Sequence, residues 1–144
     1  MRHWMLMALI GVGGCAVAPA TPGGDAPAAR ATAAAAAPLA GTRWVGVVDA
    51  SIQSANVPSL ELLAEGRLAG YTGCNMMNGT WTAEGGQGRV GRIVATKRMC
   101  LGPGADVEKR LMAALTENAR LARQGDRLVV TGPSGERFEF SPAR

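Results

Sequence analysis

Past its third residue the chain contains no histidine. That absence removes the usual general base of hydrolases, the Ser/His and Cys/His nucleophile pairs, and the commonest zinc and copper ligand. Nor does any apolar run suit a membrane-crossing helix: the stretch Met5 to Val12 falls far short of the roughly 20 residues required. Charge of neither sign is concentrated. Arg43, Arg67, Arg89, Arg92, Lys97, Arg98, Lys109, Arg110, Arg120, Arg123, Arg127 and Arg137 are interleaved with Glu and Asp, so no block has the footprint of a nucleic-acid binder. The net charge of +4 gives only weak support to affinity for an anionic lipid or polymer. Glu61, Glu65 and Glu84 have no spacing that forces two carboxylates together, so no glycosidase pair can be argued. Gly85-Gly86-Gln87-Gly88 lacks the Lys-Ser/Thr of a phosphate loop and reads as a hairpin turn. Cys74 and Cys100, with neither His nor a second Cys-x-x-Cys, make a poor metal site, and no cofactor is implied.

What is present begins with Cys15. A short basic start, Met1-Arg2-His3-Trp4, is followed by the apolar stretch from Met5 and by Gly13-Gly14 directly before the thiol, which is the pattern of a removable signal peptide. Val12-Gly13-Gly14-Cys15 resembles the lipobox of bacterial lipoproteins, although Val at its first position is less usual than Leu. The resemblance implies a leader at 1–14 and an acylated Cys15 as the mature N-terminus. An ordinary secretory peptide cleaved near Ala18 or Ala20 is the alternative, and either places the working part outside the cytoplasm. Ala16, standing where lipoproteins retained in the inner membrane carry Asp, implies the periplasmic face of the outer membrane.

Residues 16–40 are almost entirely Ala, Pro, Thr and Gly, with Asp25 and Arg30 the charged exceptions. Such a segment cannot bury enough apolar surface to offset its ordering entropy. The expected organisation is a lipidated flexible tether at 15–38, about 25 to 30 Å end to end as a coil, followed by one domain at 39–144.

Within that domain Trp44 is the first large apolar anchor. Leu60 and Leu62 alternate with polar neighbours, Glu65-Gly66 turns the chain, and Arg67 to Thr72 returns. A second hairpin is expected from Gly79 to Val94 around the glycine cluster. The period then changes: from Asp106, the residues Val107, Leu111, Ala114, Leu115 and Asn118 recur at spacings of three and four, predicting a helix to about Asn118 with Asp106 as its N-cap or a first-turn acid and Glu108, Lys109 and Glu117 on its polar side. Alternation in Arg120 to Arg123, Arg127 to Thr131 and Arg137 to Phe140 closes the chain with three strands. The predicted class is α+β, an antiparallel curled sheet or partly closed β-barrel of short strands with one helix inserted before the last strands.

Gly73-Cys74-Asn75-Met76-Met77-Asn78-Gly79 and Thr96-Lys97-Arg98-Met99-Cys100 are more specific. With Gly70 before them and Glu108 to Leu115 and Gly125 to Val130 after, they resemble in order the motifs of the META domain, the family that includes the HslJ-type heat-shock lipoproteins. Met77 stands where an aromatic residue is more usual, and Trp81 where Tyr often sits; both keep bulk and apolarity. The resemblance implies a periplasmic or surface-attached β-rich domain with no agreed catalytic site. It makes Gly73, Asn75, Asn78, Gly79, Thr96 and Met99 architectural: Gly73, Gly79 and the asparagines suit positions of positive φ, and an Asn side chain can satisfy turn amides. Ligand binding by Asn75 or Asn78 is the alternative role. Met76, Met77 and Met99 are expected to pack in the core rather than to bind a soft metal.

With Cys15 acylated, Cys74 and Cys100 are an even pair in a disulfide-permissive compartment, and a bridge is the simpler expectation. Closing a loop of about 27 residues would contribute on the order of 3 to 4 kcal/mol. Two separate thiols are the alternative, with Arg98 and Lys97 near enough in sequence to favour a thiolate at Cys100. Three functions follow: a membrane-anchored, non-catalytic protein that binds an envelope protein or small ligand or supports envelope integrity; a thiol-based redox or transfer protein; or a secreted inhibitor or adhesion module that pairs an exposed β edge with a partner strand.

Overall fold

Apolar and polar residues alternate through eight runs, and each run becomes a strand whose apolar side faces one shared interior. The structure, a computed structural model, describes residues 38–144. The leader at 1–14, Cys15 and residues 16–37 of the Ala/Pro-rich segment lie outside the described residues. The elements are β1 (Thr42–Gly46), β2 (Ser59–Leu62), β3 (Arg67–Tyr71), β4 (Met76–Glu84), β5 (Gln87–Ala95), α1 (Pro103–Ala114), β6 (Arg120–Gln124), β7 (Arg127–Thr131) and β8 (Arg137–Pro142). Single 3-10 turns at Ser54–Asn56 and Ala64–Gly66 join the first three strands.

Every strand pairs antiparallel with its successor, and β8 returns to β1 through Trp44↔Pro142, Val45↔Ser141 and Gly46↔Phe140. The barrel is therefore closed: the expected antiparallel β-barrel with one helix before the last strands is present, and its closure is complete rather than partial. Alternation tells each strand which side is apolar; it carries no information on whether the first and last strands meet. The seam between β5 and β6 is the shortest, with only Gly88↔Leu121 and Arg89↔Arg120 in register. Backbone bonds from Val90 N to Ala119 O and from Asn118 N to Val90 O, both 2.8 Å, extend it by one residue.

The interior is filled by side chains, as is usual for eight strands. Trp44, Leu60, Leu62, Leu68, Met77, Trp81, Val90, Leu121, Leu128, Val130, Phe138 and Phe140 are all buried. The polar edges of both tryptophans are satisfied: Trp44 Nε1 donates to Thr42 Oγ1 at 2.7 Å and Trp81 Nε1 to Arg67 O at 3.0 Å. The Arg123 guanidinium lies 5.5 Å from the Trp44 ring, a cation–π distance.

The helix starts earlier and stops earlier than its periodicity predicts. Pro103 occupies the first helical position behind Gly102, whose φ is 76°; proline suits that position because its missing N–H would have no partner there. Asp106 is a first-turn acid, the second of the two roles expected of it, and Gly102 takes the N-cap position. Leu115 leaves helical geometry with ψ at 61°, and Asn118 takes a left-handed φ of 69° instead of continuing the apolar stripe. Val107, Leu111, Ala114 and Leu115 remain fully buried in the barrel core, so the apolar stripe marks the buried face of the helix but not its end. The second hairpin turn is also shorter than expected. Gly85 and Gly86, with φ of 55° and 83°, make a two-residue turn, and Gln87 and Gly88 already belong to β5.

Candidate functional site

Thr72-Gly73-Cys74-Asn75 turns the chain from β3 into β4, and the sequence provides the turn with its own acceptors. Thr72 Oγ1 accepts the backbone N–H of Asn75 at 2.8 Å and of Cys74 at 3.3 Å, while Thr72 N donates to Asn75 O at 2.8 Å. A hydroxyl two or three residues before the amides it caps is a known way to stabilise such turns. Gly73 sits at φ 101°, and an added Cβ would lie 2.8 Å from Asn56 O, so both conformation and space require glycine.

Asn75 is 4 % exposed and uses all of its hydrogen-bonding capacity. Its Nδ2 donates to Glu108 Oε1 at 2.9 Å and to Arg98 O at 3.3 Å; its Oδ1 accepts from Arg98 N at 2.7 Å and from Thr96 Oγ1 at 2.9 Å. Thr96 in turn accepts Met76 N at 3.2 Å, and Thr72 Oγ1 donates to Glu108 Oε1 at 2.9 Å. One amide thus joins the β3–β4 turn, the segment leaving β5, and the first half of α1. No buried side-chain nitrogen or oxygen among the described residues lacks a partner.

Cys74 and Cys100 are paired as a disulfide, with Cα atoms 6.1 Å apart, inside the ordinary range for a cystine. The bond ties the same turn to the same segment that Asn75 holds. A cystine offers no thiolate, so Cys100 carries no activated sulfur in this state despite Lys97 and Arg98 beside it. The residues flanking Cys100 project to solvent: Met99 is 92 % and Leu101 87 % exposed. This overturns the expectation that Met99 packs in the core. Met76, at 56 %, also faces out, whereas Met77 is fully buried as expected.

Asn78 and Gly79 do not join the cluster. Asn78 lies exposed on β4 opposite Val94, and Gly79 opposite Ile93. Neither Asn75, Asn78 nor Gly79 has a positive φ, contrary to expectation. Gly79 is required for a different reason, since a Cβ there would stand 2.5 Å from Arg92 O across the β4–β5 pair. Thr72 and Glu108 are the members that sequence reasoning missed. Thr72-x-x-Asn75 was a readable turn signal, but Glu108 fell on the polar side of the predicted helix and nothing local shows that this side meets a turn 33 residues earlier. Among the described residues no group of three or more His, Cys, Asp or Glu side chains could hold a metal. The arrangement is a brace: it fixes the backbone of the 96–100 segment and exposes the apolar side chains beside Cys100.

Comparison with known proteins agrees with this architecture. The family model for the META domain matches residues 37–144. Two solved structures share the fold. One, a solution NMR structure of a protein from Burkholderia xenovorans, is 21 % identical, with 73 % of this chain and 83 % of that chain covered and a TM-score of 0.56. The other, also determined by NMR, is 16 % identical, with 70 % and 88 % covered and a TM-score of 0.53. No curated protein matches the chain.

Proposed function

The chain belongs to the META domain family, and from that premise we propose that it is an HslJ-like, lipid-anchored protein of the cell envelope that acts by binding a partner rather than by catalysis. Cys15 is the lipid attachment point, residues 15–38 are the tether, and the barrel works at the periplasmic face of the outer membrane. Val12-Gly13-Gly14-Cys15 supports the anchor, and the cystine supports an oxidising compartment, since structural disulfides persist there and not in a reducing cytosol.

The observation that carries the binding role is the braced segment around Cys100. Met99 and Leu101 stand in solvent while the backbone beside them is held by the cystine and by two bonds from Asn75. Apolar side chains left exposed on a protein surface mark contact sites when they cluster, and a segment already fixed loses little further entropy on docking. The function rests on that presentation.

A photo-reactive residue placed at Met99 in intact cells, with and without Cys15→Ser, tests both parts. The expected result is a discrete adduct that Leu101→Ser removes, together with release of the Cys15→Ser protein from washed membranes. A Cys15→Ser protein that still pellets after a high-salt wash rejects the anchor; failure to form any adduct rejects binding through this segment.

A further inference from the structure

On the opposite character of surface, β5 to β8 carry an outward row in which Arg89 pairs with Arg120, Arg120 with Thr131, and Thr131 with Arg137. Three arginines separated by up to 48 residues of sequence are thereby brought onto three strands, β5, β6 and β8, of one four-strand row. They line a cleft of about 680 Å³, completed by Asn118, Gln87 and Gln124 among others, a volume within the usual range for small-molecule sites. Like charges placed directly opposite on paired strands repel one another. Nothing in the row compensates fully: Glu84 accepts Arg89 Nε at 3.0 and 3.1 Å, but Arg120 and Arg137 form no ion pair among the described residues.

Neighbouring strands lie about 4.8 Å apart, so Arg120 and Arg137, two strands from each other, stand roughly 10 Å apart at the backbone. Guanidinium groups on long stems can close that distance onto one ligand, and their fork matches phosphate oxygens two at a time. Asn118, Gln87 and Gln124 add neutral polar groups at the cleft walls, and no acidic side chain lines it. We propose that the cleft is a binding site for a ligand carrying two or more phosphate groups within about 10 Å of each other. The site is separate from the Cys74–Cys100 brace and does not depend on whether Cys15 is lipidated. Free oligophosphates and phosphate-bearing lipid headgroups share the chemistry.

The test uses the full chain with Cys15→Ser, amide resonances as the readout and tripolyphosphate as the probe. Saturable shifts confined to Arg89, Asn118, Arg120, Thr131 and Arg137 are expected, with affinity falling at least tenfold in Arg120→Gln/Arg137→Gln and unchanged in Arg43→Gln, a surface arginine outside the cleft. Because both cleft residues are exposed, the double variant should keep all other resonances in place. Vesicles containing cardiolipin, whose headgroup carries two phosphates, then separate the sources. Displacement of tripolyphosphate by these and not by phosphatidylcholine vesicles identifies a lipid headgroup, and lack of displacement identifies a soluble oligophosphate. Shifts spread equally over every surface arginine, an undiminished affinity in the double variant, or an equal loss in Arg43→Gln would overturn the proposal.

Discussion

The barrel has two polar clusters built on opposite rules. Around Asn75, donors and acceptors are matched: the amide, two threonine hydroxyls, the Glu108 carboxylate and the Arg98 backbone satisfy each other in a part-buried network. Along Arg89, Arg120 and Arg137, donors far outnumber acceptors, and like charges face each other across a strand pair. A satisfied, part-buried network stabilises and orders what it joins, whereas an unbalanced exposed one gains its partners only from outside the chain. The difference separates architecture from recognition without reference to any ligand.

If that separation is right, damage to the brace should be costly and damage to the row should not. The largest loss is expected from the cystine. Cys74→Ser and Cys100→Ser should each lower unfolding free energy by about 3 to 4 kcal/mol, the loop entropy of a cross-link of this span. The double variant should cost little more than either single one, because all three remove the same bond. Urea denaturation of the four proteins checks this, and additive losses would show that the cysteines act independently.

Next comes Asn75→Ala, which leaves Arg98 N, the Thr96 hydroxyl and Glu108 short of a partner in a part-buried site. A buried group left unpaired costs about 1 to 3 kcal/mol, and relaxation around the intact cystine should hold the total to about 2 to 3. Asn78→Ala, on the exposed side of β4, should fall within about 0.5 kcal/mol of the parent protein. Thermal unfolding of the pair is a direct measure of how unequal two asparagines of one motif are.

That inequality also marks the limit of what was legible. The strands, the hairpins, the buried helical face and the family could all be read from period-2 and period-3.6 patterns and from the ordered motifs, because those signals are local. Barrel closure was hidden because β1 and β8 are joined by contacts about a hundred residues apart, for example Val45 with Ser141. Apolarity alone places Met99 in the core; its neighbour Cys100 is tied to the turn at Cys74, and the side chain beside it is left in solvent. The arginines looked dispersed for the same reason. Spread along the sequence they form no block, and only the β5 to β8 register places three of them in one row.

The smallest effect is the one that separates the two clusters most sharply. Arg120 faces Arg89 across β5–β6, with Thr131 on its other side, so its charge is opposed by a like neighbour and balanced by no ion pair among the described residues. Removing that charge while keeping a polar, similarly long side chain relieves repulsion worth a few tenths of a kcal/mol in a cross-strand pair. Arg120→Gln should therefore be slightly more stable than the parent at low salt, the reverse of what Asn75→Ala does. The gain should shrink as ionic strength rises, because the repulsion lies at the surface and is screened over about 8 Å near 0.15 M salt. Denaturation midpoints of Arg120→Gln at low and high salt measure it. A loss above about 0.5 kcal/mol in either condition, beyond the usual range for surface changes, would make Arg120 part of the architecture and erase the distinction between the two clusters.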